Sequence, residues 1–295
     1  MKRIDWEDQR AFLAVLEEGS LSAAARRLGV TQPTMRTRLE ALESALGTVL
    51  FTRSVRGLVP TEQARSLGAA ARAMARASEA FVRAASAPPD RVAGRVRISV
   101  PQFIGQEVLP SMVAELRRRH PDLILEIELS DAVANILEQE ADVAVRMQQP
   151  SQGALIARKV PPIELGFFAH VDYLARRGRP DTVGDLDDHD LIGPDRHRYD
   201  LAMLEAHGSD IPLERFVARV DSHPAQLALI RAGVGIGVTQ CGVGRRDPSL
   251  RQVLAEVCLP PLETWIVTHE DLRSLPRIAA VFDYLVGTFD RLAAT

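Results

Sequence analysis

The sequence predicts an α/β chain that opens with a small all-α unit, continues through one long helix and ends in two successive α/β lobes. Three observations carry that prediction. Residues Gly19 to Gly47, GSLSAAARRLGVTQPTMRTRLEALESALG, read as two helices meeting at a tight turn. The stretch from Thr61 to Ala87 is rich in alanine, holds no proline and stops at Pro88-Pro89. From Arg95 onward short apolar runs alternate with amphipathic helical segments, which means βαβ units and a mainly parallel sheet. A chain of 295 residues exceeds one typical domain and accommodates all three parts.

Trp6 to Glu18 is an amphipathic helix with Phe12, Leu13 and Leu16 facing inward. Gly19 suits the end of that helix, and Ser20 caps the next. Ala23, Ala24 and Ala25 make the second helix narrow enough for a third to cross closely. Gly29 supplies the turn, Val30 plugs the crossing, and Thr31 is a second N-cap. Pro33 falls in the first turn, where a missing N–H costs little. Met35, Leu39 and Leu42 then recur at helical spacing and face inward, which leaves Gln32, Thr34, Arg36, Thr37 and Arg38 outward. The N-terminal turns of such a helix meet base edges in a helix-turn-helix. An ordinary helical hairpin would use alanine and glycine similarly. Between Arg26 and Arg56 stand Arg26, Arg27, Arg36, Arg38, Arg53 and Arg56 against Glu40 and Glu43, which concentrates positive charge where phosphates would lie, although a charge run by itself is usually a solvated face.

In Val49 to Pro60, Leu50 and Phe51 read as core residues, and Arg53, Arg56 and Gly57 as a turn. That makes a wing suited to phosphate or minor-groove contact, the alternative being a solvent-exposed hairpin. Thr61 caps the long helix, with Glu62 in its favourable first turn. Leu67, Ala71, Met74, Ser78, Phe81 and Ala85 alternate four and three apart along it, a coiled-coil seam that predicts a homodimer. Two recognition helices could then engage half-sites about 34 Å apart.

The run from Trp6 to Thr61 resembles the N-terminal winged helix-turn-helix of the LysR-type transcriptional regulators. The matching pieces are FLAVLEEGSLSAAARRLGVTQPTMRTRLEALE, LG-x-x-LF-x-R at Leu46 to Arg53, Arg56-Gly57 and Pro60-Thr61. The family pattern usually has Ser-Gln-Pro-Ala where this chain has Thr31-Gln32-Pro33-Thr34. It usually has serine in place of Arg36 and glycine in place of Ala64. The first two departures bear on which operator is read. The resemblance extends more loosely over the remaining chain. It implies a DNA-binding domain over residues 1–60, a linker and dimerisation helix with its hinge over 61–91, and a regulatory domain over 92–295. That last part would be a two-lobe periplasmic-binding-protein-like effector domain, lobe 1 over 92–163 and 268–295 and lobe 2 over 164–267. The implied DNA-binding residues are Thr31, Gln32, Pro33, Thr34, Arg36, Thr37, Arg38, Arg53 and Arg56. The implied partners are double-stranded DNA, a small-molecule effector and further copies of the chain. The copies would form a dimer through the linker helix and a homotetramer beyond it, with RNA polymerase a candidate contact.

Within the lobes, Arg95 to Val100, Ile124 to Leu129 and Asp142 to Arg146 read as strands. Gly105 to His120 and Val133 to Glu140 read as helices, and 147–164 as a connecting stretch. A second set begins at Leu165 to Ala169 and continues through strands near Leu191-Ile192, Phe216 to Val220 and Gly235 to Thr239, with a helix from Ala225 to Ala232. It ends with a strand from Trp265 to Thr268 and a helix from Pro276 to Leu292. Open parallel sheets bind ligands beyond the carboxyl ends of their strands, and hinged lobes bind between them. That rule selects Pro101, Gln102, Phe103, Ser130, Asp131 and Arg146 in the first lobe. In the second it selects Gly193, Ser222, Thr239 and Gln240. Gly105 and Gln106 would open a helix whose free N–H groups favour an anion. With Arg146 they suit a small carboxylate or other polar metabolite, although Arg146 could equally pair with a neighbouring acid.

Other chemistries are disfavoured. Gly233, Gly235 and Gly237 lack the last glycine of G-x-G-x-x-G and precede a strand. His189, His197 and His207 have no zinc-helix spacing, and there is no Cys-x-x-Cys, so neither a metal nor another cofactor is expected. G-x-S-x-G is absent, which argues against a hydrolase. Cys241 beside the pocket could be an oxidisable thiolate of low pKa, the weaker alternative to effector sensing. Two cysteines, no apolar signal core and no bilayer-length apolar run imply a cytoplasmic protein that does not span a membrane.

Overall fold

The computed structural model describes residues 4–54, 57–86, 90–131, 141–150, 154–196 and 212–292. The chain divides into two compact units, Met1–Ala84 and Ala85–Thr295.

The first unit contains α1 (Trp6–Glu18), α2 (Leu21–Leu28), α3 (Gln32–Leu46), a hairpin of β1 (Phe51–Ser54) and β2 (Gly57–Pro60), and α4 (Glu62–Ala84). Gly19, Gly29 and Gly47 end the first three helices at φ of 64°, 66° and 68°, a left-handed conformation that strains other residues. The following helices start on hydroxyls. Ser20 Oγ accepts the Ala23 N–H at 3.4 Å, Thr31 Oγ1 the Thr34 N–H at 3.3 Å, and Thr61 Oγ1 the Ala64 N–H at 3.2 Å. Phe12, Val15, Ala24, Ala25, Met35, Leu39, Leu42 and Leu50 form the core, with Ala24 and Met35 wholly buried. The hairpin is tied from two sides. Glu43 on α3 accepts the N–H groups of Leu50 and Phe51 at 2.6 and 3.3 Å, and the Leu58 N–H donates to the Gly19 carbonyl at 3.0 Å. Gly57 has φ 120°, and a Cβ there would lie 2.9 Å from the Gly19 oxygen.

The expected seam of α4 divides. Leu67 and Ala71 pack with Ala64 and Ala75 into the core of the first unit, whereas Met74, Phe81 and Val82 are exposed. The exposed apolar stripe therefore starts later than the heptad pattern implies, because the first turns of α4 complete the core beneath α1.

The second unit is built on a five-stranded sheet in the order β4-β3-β5-β12-β6. β3 (Gly94–Val100) runs parallel to β4 (Leu123–Leu129) and β5 (Val143–Arg146). β12 (Leu262–His269) runs antiparallel to β5 and to β6 (Leu155–Ile163). α5 (Leu109–Arg119) and α10 (Pro276–Leu292) cover one face, where Val96, Ile98, Leu116, Ile266, Val281 and Leu285 are buried. The second lobe holds β7 (Leu165–His170) between β10 (Gly237–Gln240) and β11 (Leu250–Val253), both antiparallel to it. Beside them run a parallel pair, β8 (Leu191–Gly193) and β9 (Phe216–Arg219), with α6 (Val171–Arg177), α7 (His223–Arg231) and α8 (Cys241–Arg246). A short α9 (Glu270–Arg273) precedes α10.

The expected mainly parallel sheet is thus mixed, and the three-stranded sheet of the second lobe is wholly antiparallel. The connecting stretch 147–164 contains β6, an edge strand, where Pro161 and Pro162 are tolerated and disguise the strand in the sequence. The return to the first sheet begins at Leu262, earlier than residue 268. The helix expected over Val133 to Glu140 lies outside the described residues.

Met35 crosses from α3 onto α1 and α2 with no solvent exposure, so truncating it leaves a void. In a Trp265→Phe background Trp6 is the one remaining tryptophan. There Met35→Ala is expected to lower the stability reported by Trp6 fluorescence in urea by about 2–5 kcal/mol. An unchanged midpoint at unchanged slope would contradict the packing.

Candidate functional site: a nucleic-acid interface and an inter-lobe cleft

The exposed face of α3 carries Gln32, Pro33, Arg36 and Thr37, with Thr31 just before it, while Thr34 and Arg38 are half-buried. Its hydroxyls are locally engaged. Thr31 Oγ1 and Thr34 Oγ1 lie 2.8 Å apart, and Thr37 Oγ1 donates to the Pro33 carbonyl at 3.1 Å. Gln32 and Arg36 are the long polar side chains that this face presents to solvent.

Arg38 departs from the expected outward orientation. Its Nη1 lies 3.0 Å from Glu7 Oε2 on α1, and Glu7 also receives Arg10 at 2.8 Å. The Arg10 hydrogen bond, helped by the nearby charge of Arg38, holds the Glu7 carboxyl below the usual carboxylate range. Arg27 is likewise drawn to α1, 2.5 Å from Glu17 and 3.4 Å from Glu18. Three acids of α1 therefore offset part of the arginine concentration, and Arg26, Arg36 and Arg53 remain as exposed cations of that group. Arg56 lies outside the described residues.

In the second unit, β3, β4 and β5 end side by side. The Ser130 N–H donates to the Val100 carbonyl at 2.9 Å and the Gln102 N–H to Asp131 Oδ1 at 3.0 Å, which joins Pro101, Gln102, Ser130 and Asp131 at one edge. The helix after β3 begins earlier than expected, running over residues 102–119 with a π-helical turn at Ile104–Val108. The Gly105 N–H is spent on the Pro101 carbonyl at 2.9 Å, so the opening of the helix lies upstream of Gly105 and Gln106. Asp131 already supplies a carboxylate to its first amide. Phe103 is a core residue, 7% exposed among Ile104, Val108 and Leu109. Arg146 is buried at the end of β5. Its Nη1 donates to the Ser99 and Val145 carbonyls at 3.2 and 2.8 Å, and its Nη2 to Ser99 Oγ at 3.0 Å.

In the second lobe β8 and β9 run parallel, and Leu191 bridges in parallel to Ile236, so β8, β9 and β10 end on one side. Gly193 is buried and packed under Phe216, whose ring carbon would lie 2.4 Å from an added Cβ, and its carbonyl accepts the Val220 N–H at 2.9 Å. Asp221 Oδ1 accepts the N–H groups of Asp195 and Arg196 at 2.9 and 2.8 Å, and Ser222 precedes α7. Thr239 and Gln240 are buried opposite Gly166 and Leu165, where the chain enters this lobe. The Thr239 hydroxyl is buried without a hydrogen-bond partner among the described residues.

The remaining sequence candidates find other roles. Burial pushes the Cys241 thiol up, the reverse of an activated thiolate, so the low-pKa expectation is corrected. Gly235 is a close-packing position, since an added Cβ would lie 2.3 Å from the Asp190 carbonyl oxygen. His189 is buried with Nδ1 3.2 Å from the Tyr173 hydroxyl, and His197 and His207 lie outside the described residues. No helix among the described residues is long and apolar enough to cross a membrane. Sequence reasoning missed the ion triad of Glu107, Arg231 and Asp247, whose first two members are 124 residues apart.

Residues 6–65 match the helix-turn-helix of bacterial regulatory proteins of the lysR family, and residues 89–290 match the LysR substrate binding domain. The chain belongs to the LysR family. It is 24% identical over 295 residues to the probable transcriptional regulator LtrA of Klebsiella pneumoniae, covering 97% of this chain and 96% of that one. It is 28% identical over 193 residues to the transcriptional regulator PgrR of Escherichia coli, a match that spans 65% of this chain and 64% of PgrR. Among solved structures, full-length CbnR in complex with its target DNA superposes with a TM-score of 0.69 at 20% identity, covering 97% of this chain and 99% of CbnR. These families consist of transcriptional regulators, not enzymes, and a LysR-type regulator joins a DNA-binding helix-turn-helix to a two-lobe effector-binding domain.

The Glu7–Arg38 contact generates a prediction. Replacing Glu7 by Gln removes a negative charge beside α3 and is expected to free Arg38 for a phosphate contact. The plot of log binding constant against log salt on duplex DNA is expected to steepen by about 0.9, one added phosphate contact. An unchanged slope would show that Arg38 does not reach the backbone.

Proposed function

We propose that this LysR-type regulator reads its operator with the N-terminal turns of α3, chiefly Gln32 and Arg36, and steadies itself on phosphate with Arg53 and Arg56 of the wing. Thr31, Pro33, Thr34 and Thr37 shape that surface, and Arg38 joins it once detached from Glu7. The observation that carries the reading is the orientation of α3: Met35, Leu39 and Leu42 are buried against the other helices, so its N-terminal polar face turns outward. DNA binding is then performed by residues 1–60, pairing by 61–91 and sensing by 92–295. Exposed Met74, Phe81 and Val82 on α4 support a homodimer through that helix, and two dimers would make the homotetramer. The protein works in the cytoplasm, with RNA polymerase as a further contact.

The effector reading places a small polar metabolite between the lobes. It would meet Pro101, Gln102, Ser130 and Asp131 from one side and Gly193, Ser222, Thr239 and Gln240 from the other. A carboxylate on that metabolite is supported by the Arg146 guanidinium at the end of β5, not by the helix opening, where Asp131 already sits. The effector acts by preferring one lobe arrangement; equal affinity for both would switch nothing.

Arg36→Ala is expected to weaken operator binding and relax the preference for operator over random duplex, by the roughly 1–3 kcal/mol of one good base contact. Arg53→Ala is expected to weaken both duplexes alike and to flatten the salt slope by about one unit. Equal losses on both duplexes for both variants, measured by fluorescence anisotropy, would refute that division of labour. Titration of the purified protein with a library of small carboxylates is expected to raise its melting temperature for at least one member. No shift across the library would remove the carboxylate.

A further inference from the structure

The two lobes of the regulatory unit are joined by more than the chain crossings. Their buried apolar residues form one cluster, in which Ile104, Val108 and Leu109 of the first lobe belong with Leu227, Ile230 and Val243 of the second. At the rim of that cluster stands Arg231, the last residue of α7. Its Nη1 and Nη2 donate to Glu107 Oε1 and Oε2 of the first lobe at 2.9 and 2.8 Å, a two-pronged pair. Its Nε donates to Asp247 Oδ2 of its own lobe at 2.8 Å. Asp247 is itself anchored, since its Oδ1 accepts the Ser249 N–H at 3.0 Å and the Ser249 hydroxyl at 2.6 Å. The side chains of Glu107 and Asp247 are only 19% and 16% exposed, so water screens this triad less than an ordinary surface pair.

Glu107 reaches Arg231 from an irregular place. It lies in the π-helical turn Ile104–Val108, where one extra residue per turn rotates the side chains relative to a regular helix. The turn also packs tightly: an added Cβ at Gly105 would fall 2.1 Å from Leu129 Cδ2. The turn directly follows Pro101, Gln102 and Phe103 at the end of β3, which puts Glu107 four residues along the chain from Phe103.

We propose that Glu107, Arg231 and Asp247 form an ionic clasp that holds the two lobes in one closed arrangement, with the π turn as its lever and Asp247 as the anchor that keeps Arg231 aimed across the interface. Asp247 belongs to the anchoring lobe and Glu107 to the moving one. Breaking the Glu107 arm therefore releases the lobes, whereas breaking the Asp247 arm only loosens the aim of Arg231. The inference rests on the two-lobe architecture and on no particular ligand. An effector that favoured the open arrangement would have to part this pair, and one that favoured the closed arrangement would be aided by it.

The test is made on the full-length protein. Spin labels are placed at Arg118→Cys in the first lobe and Asp187→Cys in the second, both exposed, in a Cys258→Ser background, with Cys241 buried. Dilution with unlabelled chain confines the measured distances to one chain. Glu107→Gln is expected to add a longer inter-lobe population by double electron–electron resonance. It is also expected to lower hydrogen-exchange protection in residues 104–108 and 227–231 about tenfold, the loss expected of one charged hydrogen-bonded pair. Asp247→Asn is expected to keep the single shorter distance. Arg231→Lys, which retains charge but not the fork, is expected to give the longer population at lower occupancy, and it carries the test should Glu107→Gln not fold. A single unchanged distance in Glu107→Gln, or equal opening by Asp247→Asn, would overturn the clasp. Neither outcome depends on finding an effector, so a failed carboxylate titration and a failed clasp are separate results.

Discussion

The burial of Met35 between α1 and α2 sets the position of α3, and the outward polar face follows from it. α2 and α3 are separated only by Gly29, Val30 and Thr31, with a left-handed glycine at one end and a capping hydroxyl at the other. So short a link leaves the direction of α3 little freedom. The alanines of α2 bring the helices close enough for Met35 to fill the gap, and a side chain with no exposure fixes the rotation of its helix about the axis. Met35, Leu39 and Leu42, spaced four and three apart, share the buried side of α3, and Gln32 and Arg36 lie off that side and face solvent. The wing depends on the same packing, since Glu43 of α3 holds the start of β1 and the Gly19 carbonyl holds Leu58.

A comparable satisfaction of backbone groups governs the second unit. Chain segments after parallel strands leave N–H groups without helical partners, and an effector with an anionic group would be a natural acceptor for them. Here the chain supplies its own acceptors. Asp131 takes the Gln102 N–H, and Asp221 takes those of Asp195 and Arg196. An anion at these strand ends, as proposed, would have to be met by side chains rather than by an empty helix start. That moves attention from Gly105 and Gln106 to Arg146 and to the neutral Ser222, Thr239 and Gln240.

What the sequence made legible divides along contact range. Caps, glycine turns and helical periodicity act within a few residues, and the expected α1 to α4 and the strands β3, β4 and β5 lie where those local signals place them. Edge strands were harder. β6 carries Arg158, Lys159, Pro161 and Pro162, a composition that reads as a linker and that an edge tolerates because only one side of it is paired. Strand direction in the second lobe was not legible either, since β7 pairs with residues 69 or more positions away and nothing in its own sequence states their sense. At the site, positions at strand ends followed from the order of elements, whereas side-chain roles did not. Phe103 proved to be core and Arg38 turned to Glu7, because both outcomes depend on neighbours that local periodicity does not name.

The arginines show how far partner identity outweighs residue type. Arg36 and Arg53 are exposed, where a cation is available to phosphate or base. Arg27 and Arg38 lie on the same small unit but are held by acids of α1, and each must leave a carboxylate before it can serve DNA. Arg146 is buried and spends donors on carbonyls, where loss of the guanidinium would leave buried acceptors unmet. Arg231 has acids on two sides and from two lobes, so its contacts span an interface rather than cap an element. The charge that matters to the operator is the part α1 leaves uncompensated, so the acids of α1 help set affinity for DNA although none of them faces it as an attractive group.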